Sequence, residues 1–136
     1  MKKFTIVAVL FVSMLLGACS GPENGQLTRV DVQKVDTEGN YEEAVWITDT
    51  ESINRLNHSF EKVKWEPGVE AQMARKEDVL ATLFYTFDEN MPEKLFEYRI
   101  WFNSNGTATI ISDRENEGYG TLDKEGAVQL KKRLSN

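Results

Sequence analysis

The feature that most limits what this chain can fold into is an apolar stretch near its start, followed by the only cysteine of the sequence. Two lysines, Lys2 and Lys3, precede the stretch at residues 4–16, and Cys19 follows it after two small residues. Such a stretch is too short for a transmembrane helix, which needs about 20 apolar residues, but it is typical of the core of an export signal. The folded part must therefore form without an internal disulfide.

The residues around the cysteine specify the kind of signal. Leu16, Gly17, Ala18 and Cys19 resemble the lipobox of bacterial lipoproteins, a leucine and two small residues before a cysteine. The resemblance implies cleavage before Cys19, diacylglycerol on its sulfur and often a further acyl chain such as palmitate on the new amino group. Two or more chains anchor a protein stably. We therefore predict a membrane-anchored protein at the extracytoplasmic face of the cell membrane.

This signal divides the chain into three parts. We predict a signal peptide at residues 1–18, the lipidated Cys19 with a short linker at residues 19–26, and one domain at residues 27–136. The linker residues 20–26 are rich in glycine and polar groups, and they span at most roughly 23 Å. The membrane, through the lipid on Cys19, is thus the first predicted partner, and a protein or peptide of the cell envelope is the second.

The charge of the chain excludes one class of partner. Without Lys2 and Lys3, the 16 basic residues fall to 14 against 22 acidic ones, which gives the processed chain a formal charge of −8. A domain of this charge is repelled by nucleic acid and by anionic headgroups. We predict no nucleic-acid binding, and attachment to the membrane through lipid and not through a basic surface.

The first half of the domain is predicted to form a hairpin and a helix. Residues 27–36 alternate as a strand with Thr28, Val30 and Val32 on one face, and residues 41–48 return as a second strand. Thr48 and Glu51 fit a capping box at the start of a helix. Its predicted apolar face has helical spacing and consists of Ile53, Leu56, Phe60 and Val63.

The second half is predicted to form three strands and a closing helix. The strands cover residues 79–87, 96–102 and 107–112, and the Asn105-Gly106 pair between the last two is a strong turn signal. Asp123 can cap the final helix, whose apolar face is Ala127, Leu130 and Leu134. The segments 65–78 and 113–120 show neither strand nor helix periodicity. The order ββαβββα predicts a two-layer α+β domain with an antiparallel sheet of about five strands and two helices.

The sequence contains no catalytic or metal-binding motif. His58, the only histidine, is predicted to be exposed on the first helix, where its neighbour Ser59 points away from it. Asp113, Glu115 and Glu117 resemble the start of a calcium loop, but Lys124 stands where a bidentate glutamate is required. We therefore predict no cofactor, no metal and no enzymatic activity.

Aromatic residues offer the better candidates for a binding site. Trp65 and Arg75 lie in the irregular segment, and Tyr98 and Trp101 lie on one strand. Exposed tryptophan or tyrosine beside arginine is typical of a binding hot spot, whereas tryptophan that covers the edge of a core is common too. Both readings stay open, and the four residues form our candidate binding surface.

The same region resembles a known group of proteins. The run from Trp65 to Gly68, the later Arg75-Lys76, the strand opening after Asp78 and the Asn105-Gly106 turn are similar to the small YhfM-like lipoproteins of Bacillus-type bacteria. That resemblance favours a Gram-positive membrane anchor and implies no activity. From the anchor and the lack of chemistry, we predict a non-enzymatic binding or interaction module, with a lipoprotein that binds a small ligand or cell-wall fragment as the alternative.

Overall fold

The computed structural model describes residues 25–135, which form seven strands and two helices. Cys19 and the predicted signal peptide lie outside this range. In chain order the elements are β1 (Gln26–Lys34), β2 (Val45–Ile47), α1 (Thr50–Glu61), β3 (Lys64–Glu66), β4 (Val79–Thr86), β5 (Lys94–Phe102), β6 (Ala108–Ser112), β7 (Tyr119–Leu122) and α2 (Lys124–Leu134). Within this part of the chain, no helix is long and apolar enough to cross a membrane.

All seven strands belong to one antiparallel sheet, in the order β2-β1-β4-β5-β6-β7-β3. Both helices pack against each other, with α1 also against β1 and α2 against β6 and β7. The α+β class, the single antiparallel sheet and the two helices are therefore confirmed.

The predicted strand number of about five is wrong, because β3 and β7 also belong to the sheet. These strands have three and four residues, too few to show an alternating pattern, and each overlaps the end of a segment that we predicted to be irregular. They pair with each other, with Trp65 opposite Gly120. Residues distant in the sequence thus supply the last two strands at this edge.

The core lies between the helices and one face of the sheet. The predicted apolar faces of both helices are buried there, as are the inward residues of the central strands. A β-bulge in β1 between Leu27 and Arg29 changes the alternation. Leu27 consequently enters the core with Val30 and Val32, while Thr28, predicted on that face, donates its hydroxyl proton to the carbonyl oxygen of Phe84 over 3.2 Å.

Local sequence signals predicted one of the two helix N-caps correctly. Asp123 caps α2 as predicted, and its carboxylate accepts a hydrogen bond from the Gly126 backbone over 2.8 Å. For α1 the cap is Asp49 and not Thr48, with the Ser52 backbone donating over 3.0 Å. Asp49 can offer a charged acceptor to the N-terminal N–H groups of the helix, which is favoured by the helix dipole.

Candidate functional site

A cavity of about 450 Å³ lies between the second half of α1 and the loop at residues 113–118. We call it the Glu117 pocket. Its volume is within the range of sites for small molecules. The residues that line it are Gly25, Asn57, Phe60, Glu61, Trp65, Tyr85, Tyr98, Arg114, Asn116 and Glu117.

Two hydroxyl groups hold the Glu117 carboxylate. The Tyr98 hydroxyl donates to Oε1 over 2.9 Å, and the Ser112 hydroxyl donates to the same oxygen over 2.8 Å. The Arg114 backbone N–H in turn donates to Ser112 Oγ over 3.0 Å. Both side-chain hydroxyls therefore bind the same carboxylate oxygen, Oε1.

The sheet register explains why the two hydroxyls converge. Tyr98 on β5 lies directly opposite Ser112 on β6, and directly paired residues point to the same face of a sheet. Both side chains are buried, with 1% and 7% of their surface exposed. The pairing of β5 with β6 alone therefore fixes the positions of the Tyr98 and Ser112 hydroxyls.

The loop that follows β6 returns Glu117 to these donors. The Ser112 backbone N–H donates to the Gly118 carbonyl over 2.7 Å, and the Glu117 N–H donates to the Arg114 carbonyl over 3.0 Å. Gly118 adopts a φ of 69°, in the left-handed region that favours glycine. The turn is thus closed on itself and places the carboxylate over the sheet.

Aromatic rings form the floor of the pocket. The Phe60 and Tyr98 rings meet edge to face with 5.0 Å between centroids, and Trp65 lies 5.5 Å from Tyr98. The Arg114 guanidinium stacks over Tyr85 and Phe96, at 4.9 and 4.5 Å from the ring centroids. The pocket therefore combines an apolar floor with a rim that carries charges of both signs.

Burial raises the pKa of both tyrosines that line the pocket. Burial raises the pKa of Tyr98 far above its usual value, and the negative charge of Glu117 raises it further. Burial likewise raises the pKa of Tyr85, although the charge of Arg114 opposes the change. At neutral pH both hydroxyls carry their protons, and the Tyr98 hydroxyl donates its proton to the Glu117 carboxylate.

We expect these pKa shifts to weaken the fold at alkaline pH. An unfolded tyrosine loses its proton near pH 10, whereas Tyr98 in the folded chain keeps it. The stability contributed by the shift is complete below pH 10 and is lost as the pH rises above it, by up to about 1.4 kcal/mol per pH unit for each such group. Urea unfolding between pH 9 and about 11 measures the slope.

Tyr98→Phe should make this alkaline slope shallower, because the variant has one titrating group fewer. Phe60→Leu is the matched control: it alters the neighbouring ring without removing a proton, and it should keep the wild-type slope. A Tyr98→Phe slope equal to that of the wild type would show that the hydroxyl ionises in the folded chain as readily as in the unfolded one.

The four residues of the candidate binding surface lie on opposite faces of the sheet. Trp65 and Tyr98 line the Glu117 pocket. Trp101 is on the other face, only 4% exposed, and its indole N–H donates to the Arg75 carbonyl over 2.8 Å. The Arg75 guanidinium is exposed and forms a two-bond ion pair with Asp78, at 2.6 and 3.0 Å. The structure therefore places Trp65 beside Tyr98 and Trp101 beside Arg75, but it does not bring all four residues together.

Sequence reasoning missed the central members of the pocket. Glu117 was considered only as a calcium ligand, and Ser112 only as the end of a strand. A group of three or more residues able to hold a metal ion is absent from residues 25–135. His58 is exposed on α1 as predicted, with Nδ1 3.9 Å from Glu61 Oε1. The one signal that could have indicated the pocket was the pairing of Tyr98 with Ser112 across β5 and β6. Using it requires the register of the two strands.

Comparison with known proteins relates the fold to one other structure. No protein-family model and no curated protein matches the chain. The crystal structure of a thioesterase-like protein from Clostridium sporogenes is similar, with a TM-score of 0.52 and 22% sequence identity. The match covers 81% of this chain and 95% of that one. At this identity the similarity establishes a shared fold.

This likeness corrects our functional prediction. We predicted a non-enzymatic binding module, with a ligand-binding lipoprotein as the alternative, and no enzymatic activity. Both predictions are contradicted, because the fold is shared with a protein described as thioesterase-like. The physical reason for the error is that a sequence without a linear motif can still bring polar side chains together in the fold, as it does with Glu117, Ser112 and Tyr98.

Proposed function

We propose that the protein hydrolyses acyl thioesters and that the Glu117 pocket is its active site. The observation that carries the proposal is the Glu117 carboxylate, which is held on one oxygen by two buried hydroxyls and lines a pocket with an aromatic floor. The likeness in fold to a thioesterase-like protein supports this class of reaction.

The chemistry assigned to Glu117 is that of a general base. Its Oε2 accepts a proton from a water molecule, and the water oxygen attacks the carbonyl carbon of the thioester. The carbon–sulfur bond then breaks, the acid is released, and the proton passes from Glu117 to the departing thiolate. Tyr98 and Ser112 act as positioning residues, because their hydrogen bonds fix the carboxylate in one orientation.

The rim supplies donors for the charge that develops on the carbonyl oxygen. Asn57 and Asn116 present amide N–H groups, and Arg114 presents a cation. Donors held in place by the protein stabilise such an oxyanion without having to reorganise. The aromatic floor formed by Phe60, Trp65 and Tyr98 is suited to the apolar part of an acyl group.

A thiol-release assay tests this function. The full chain, purified in detergent, is offered a series of neutral N-acetylcysteamine thioesters with short acyl chains, and free thiol is measured with a coloured thiol reagent. We expect turnover by the wild type and a loss of at least about tenfold in Glu117→Gln, since a general base contributes about 100-fold or more. No turnover by the wild type with any thioester would refute the proposal.

Two further variants distinguish the role of Glu117 as a general base from the roles of the residues around it. Glu115→Gln changes an exposed carboxylate on the same loop and should retain the wild-type rate. Ser112→Ala should lower kcat while leaving activity measurable, because the hydroxyl only positions Glu117. A complete loss in Ser112→Ala, together with an acylated serine in the wild type, would make Ser112 the nucleophile instead.

We also propose that the domain is anchored to the extracytoplasmic face of the membrane through lipid on Cys19. The support is the apolar stretch at residues 4–16 and the lipobox-like residues before the cysteine. Cells fed labelled palmitate should incorporate it into the wild-type chain and not into Cys19→Ala. Incorporation that survives the substitution would contradict the anchor.

A further inference from the structure

We propose that the natural substrates of the Glu117 pocket are acyl esters or thioesters that reside in the membrane, and that the anchor serves to hold the pocket at the bilayer. This inference rests on the proposed hydrolase function and on the lipid at Cys19. It concerns the source of the substrate, which neither of those proposals specifies.

The Glu117 pocket is close in sequence to the residue that we propose carries the lipid. Gly25 lines the Glu117 pocket, and a Cβ added to it would lie 3.0 Å from three atoms of the Phe87 ring. Gly25 lies only six positions after Cys19 in the chain, with five residues between them. Six residues span at most about 20 Å, so the pocket stays within that distance of the lipid-bearing residue.

Strand β1 leads away from the Glu117 pocket and from the proposed anchor. This strand starts beside the pocket and runs for nine residues to Lys34, which is about 30 Å at the usual rise per residue. The cavity at that far end, lined by Lys34, Asp78 and Phe102, is therefore more distant from the anchor. The Glu117 pocket is bounded by Gly25, whereas the residue of this second cavity that is nearest in sequence to the anchor is Lys34.

The lining of the pocket and the charge of the domain favour an apolar acyl donor that is not strongly anionic. The aromatic floor favours an apolar acyl group, and the volume of about 450 Å³ accommodates a portion of a lipid and not a whole two-chain molecule. The formal charge of −8 for the processed chain repels polyanionic carriers in solution. A neutral or zwitterionic acyl donor in the bilayer satisfies both conditions.

Reconstitution into vesicles tests this inference. The lipidated full chain is placed in phosphatidylcholine vesicles that contain a long-chain thioester dissolved in the bilayer, and the short neutral thioester is supplied separately in solution. The informative variant carries a proline-rich spacer of about 20 residues between Pro22 and Glu23, which lifts the domain by roughly 60 Å. Glu117→Gln in the same vesicles gives the background rate.

We expect the spacer variant to hydrolyse the bilayer thioester at least tenfold more slowly than the wild type and the soluble thioester at an equal rate. Equal rates on both substrates would overturn the inference and leave the hydrolase function intact, as would a wild type active only on the soluble thioester. A wild type that hydrolyses neither substrate would overturn the proposed function and this inference with it.

Discussion

Replacing Gly120 with alanine is expected to lower the free energy of unfolding by about 3 kcal/mol, the upper part of the range for an overpacked core. Gly120 lies on β7, and a Cβ added to it would lie nearest to Val63 Cγ1 and 2.6 Å from Trp65 Cε3. Neither neighbour moves easily, because Val63 is buried and the Trp65 ring packs on Tyr98. Urea unfolding of the variant measures the loss.

A double variant shows whether contact with Val63 is the cause. Val63→Ala removes the methyl carbon nearest to the new Cβ, so Gly120→Ala should cost less in the Val63→Ala background than in the wild type. The difference between the two costs is the coupling energy of a double-mutant cycle. If Gly120→Ala is as stable as the wild type, β7 and β3 do not pack as closely as described.

The replacement of Leu130 by alanine is expected to cost about 3–4 kcal/mol, within the range for fully buried leucines. Leu130 is 0% exposed at the centre of α2, where it packs in the cluster between helix and sheet. Truncation removes apolar contacts and leaves a cavity that the rigid sheet cannot fill. The midpoint of urea unfolding should fall accordingly.

The same helix contains the matched control. Val128 is 59% exposed, so Val128→Ala should change the free energy of unfolding by no more than about 0.5 kcal/mol. Both substitutions leave a good helix former in place, and the comparison therefore isolates burial. Similar costs for the two variants would mean that α2 is not packed on the sheet in the orientation described.

The parts of the fold that the sequence predicted are those with long, regular patterns. The apolar spacing of α1 and α2 extends over about two helical turns or more, β5 shows a long alternation, and β4 is rich in β-branched and aromatic residues. The alternation in β1 was interrupted by a bulge, which no local pattern revealed. Its strand was predicted, but the inward position of Leu27 was not.

The two missed strands depend on contacts far apart in the chain. Residues 64–66 and 119–122 form a ladder only because Gly120 allows Trp65 and Val63 to approach closely. Neither segment has enough residues to show a period of two. Tertiary packing decides their conformation, and local propensity does not.

The candidate site was missed for a related reason. Trp65 and Tyr98 were selected from the sequence as aromatic residues, and both line the pocket. Glu117 and Ser112 carry no signal that separates them from other loop and strand residues. These groups meet only in the folded chain. Tyr98 and Ser112 lie opposite each other on neighbouring strands, and the turn after β6 brings Glu117 within hydrogen-bond distance of both.

The two outer strands of the sheet, β2 and β3, have only three residues each. An outer strand exposes unpaired backbone groups to which another chain can add, and short strands limit that risk. Lys64 and Glu66 add charges along β3, whereas Val45 and Trp46 leave β2 more apolar. If many copies of the chain were crowded on one membrane surface, the charges of β3 would oppose edge-to-edge association of their sheets. At β2, only the short length of the strand would oppose it.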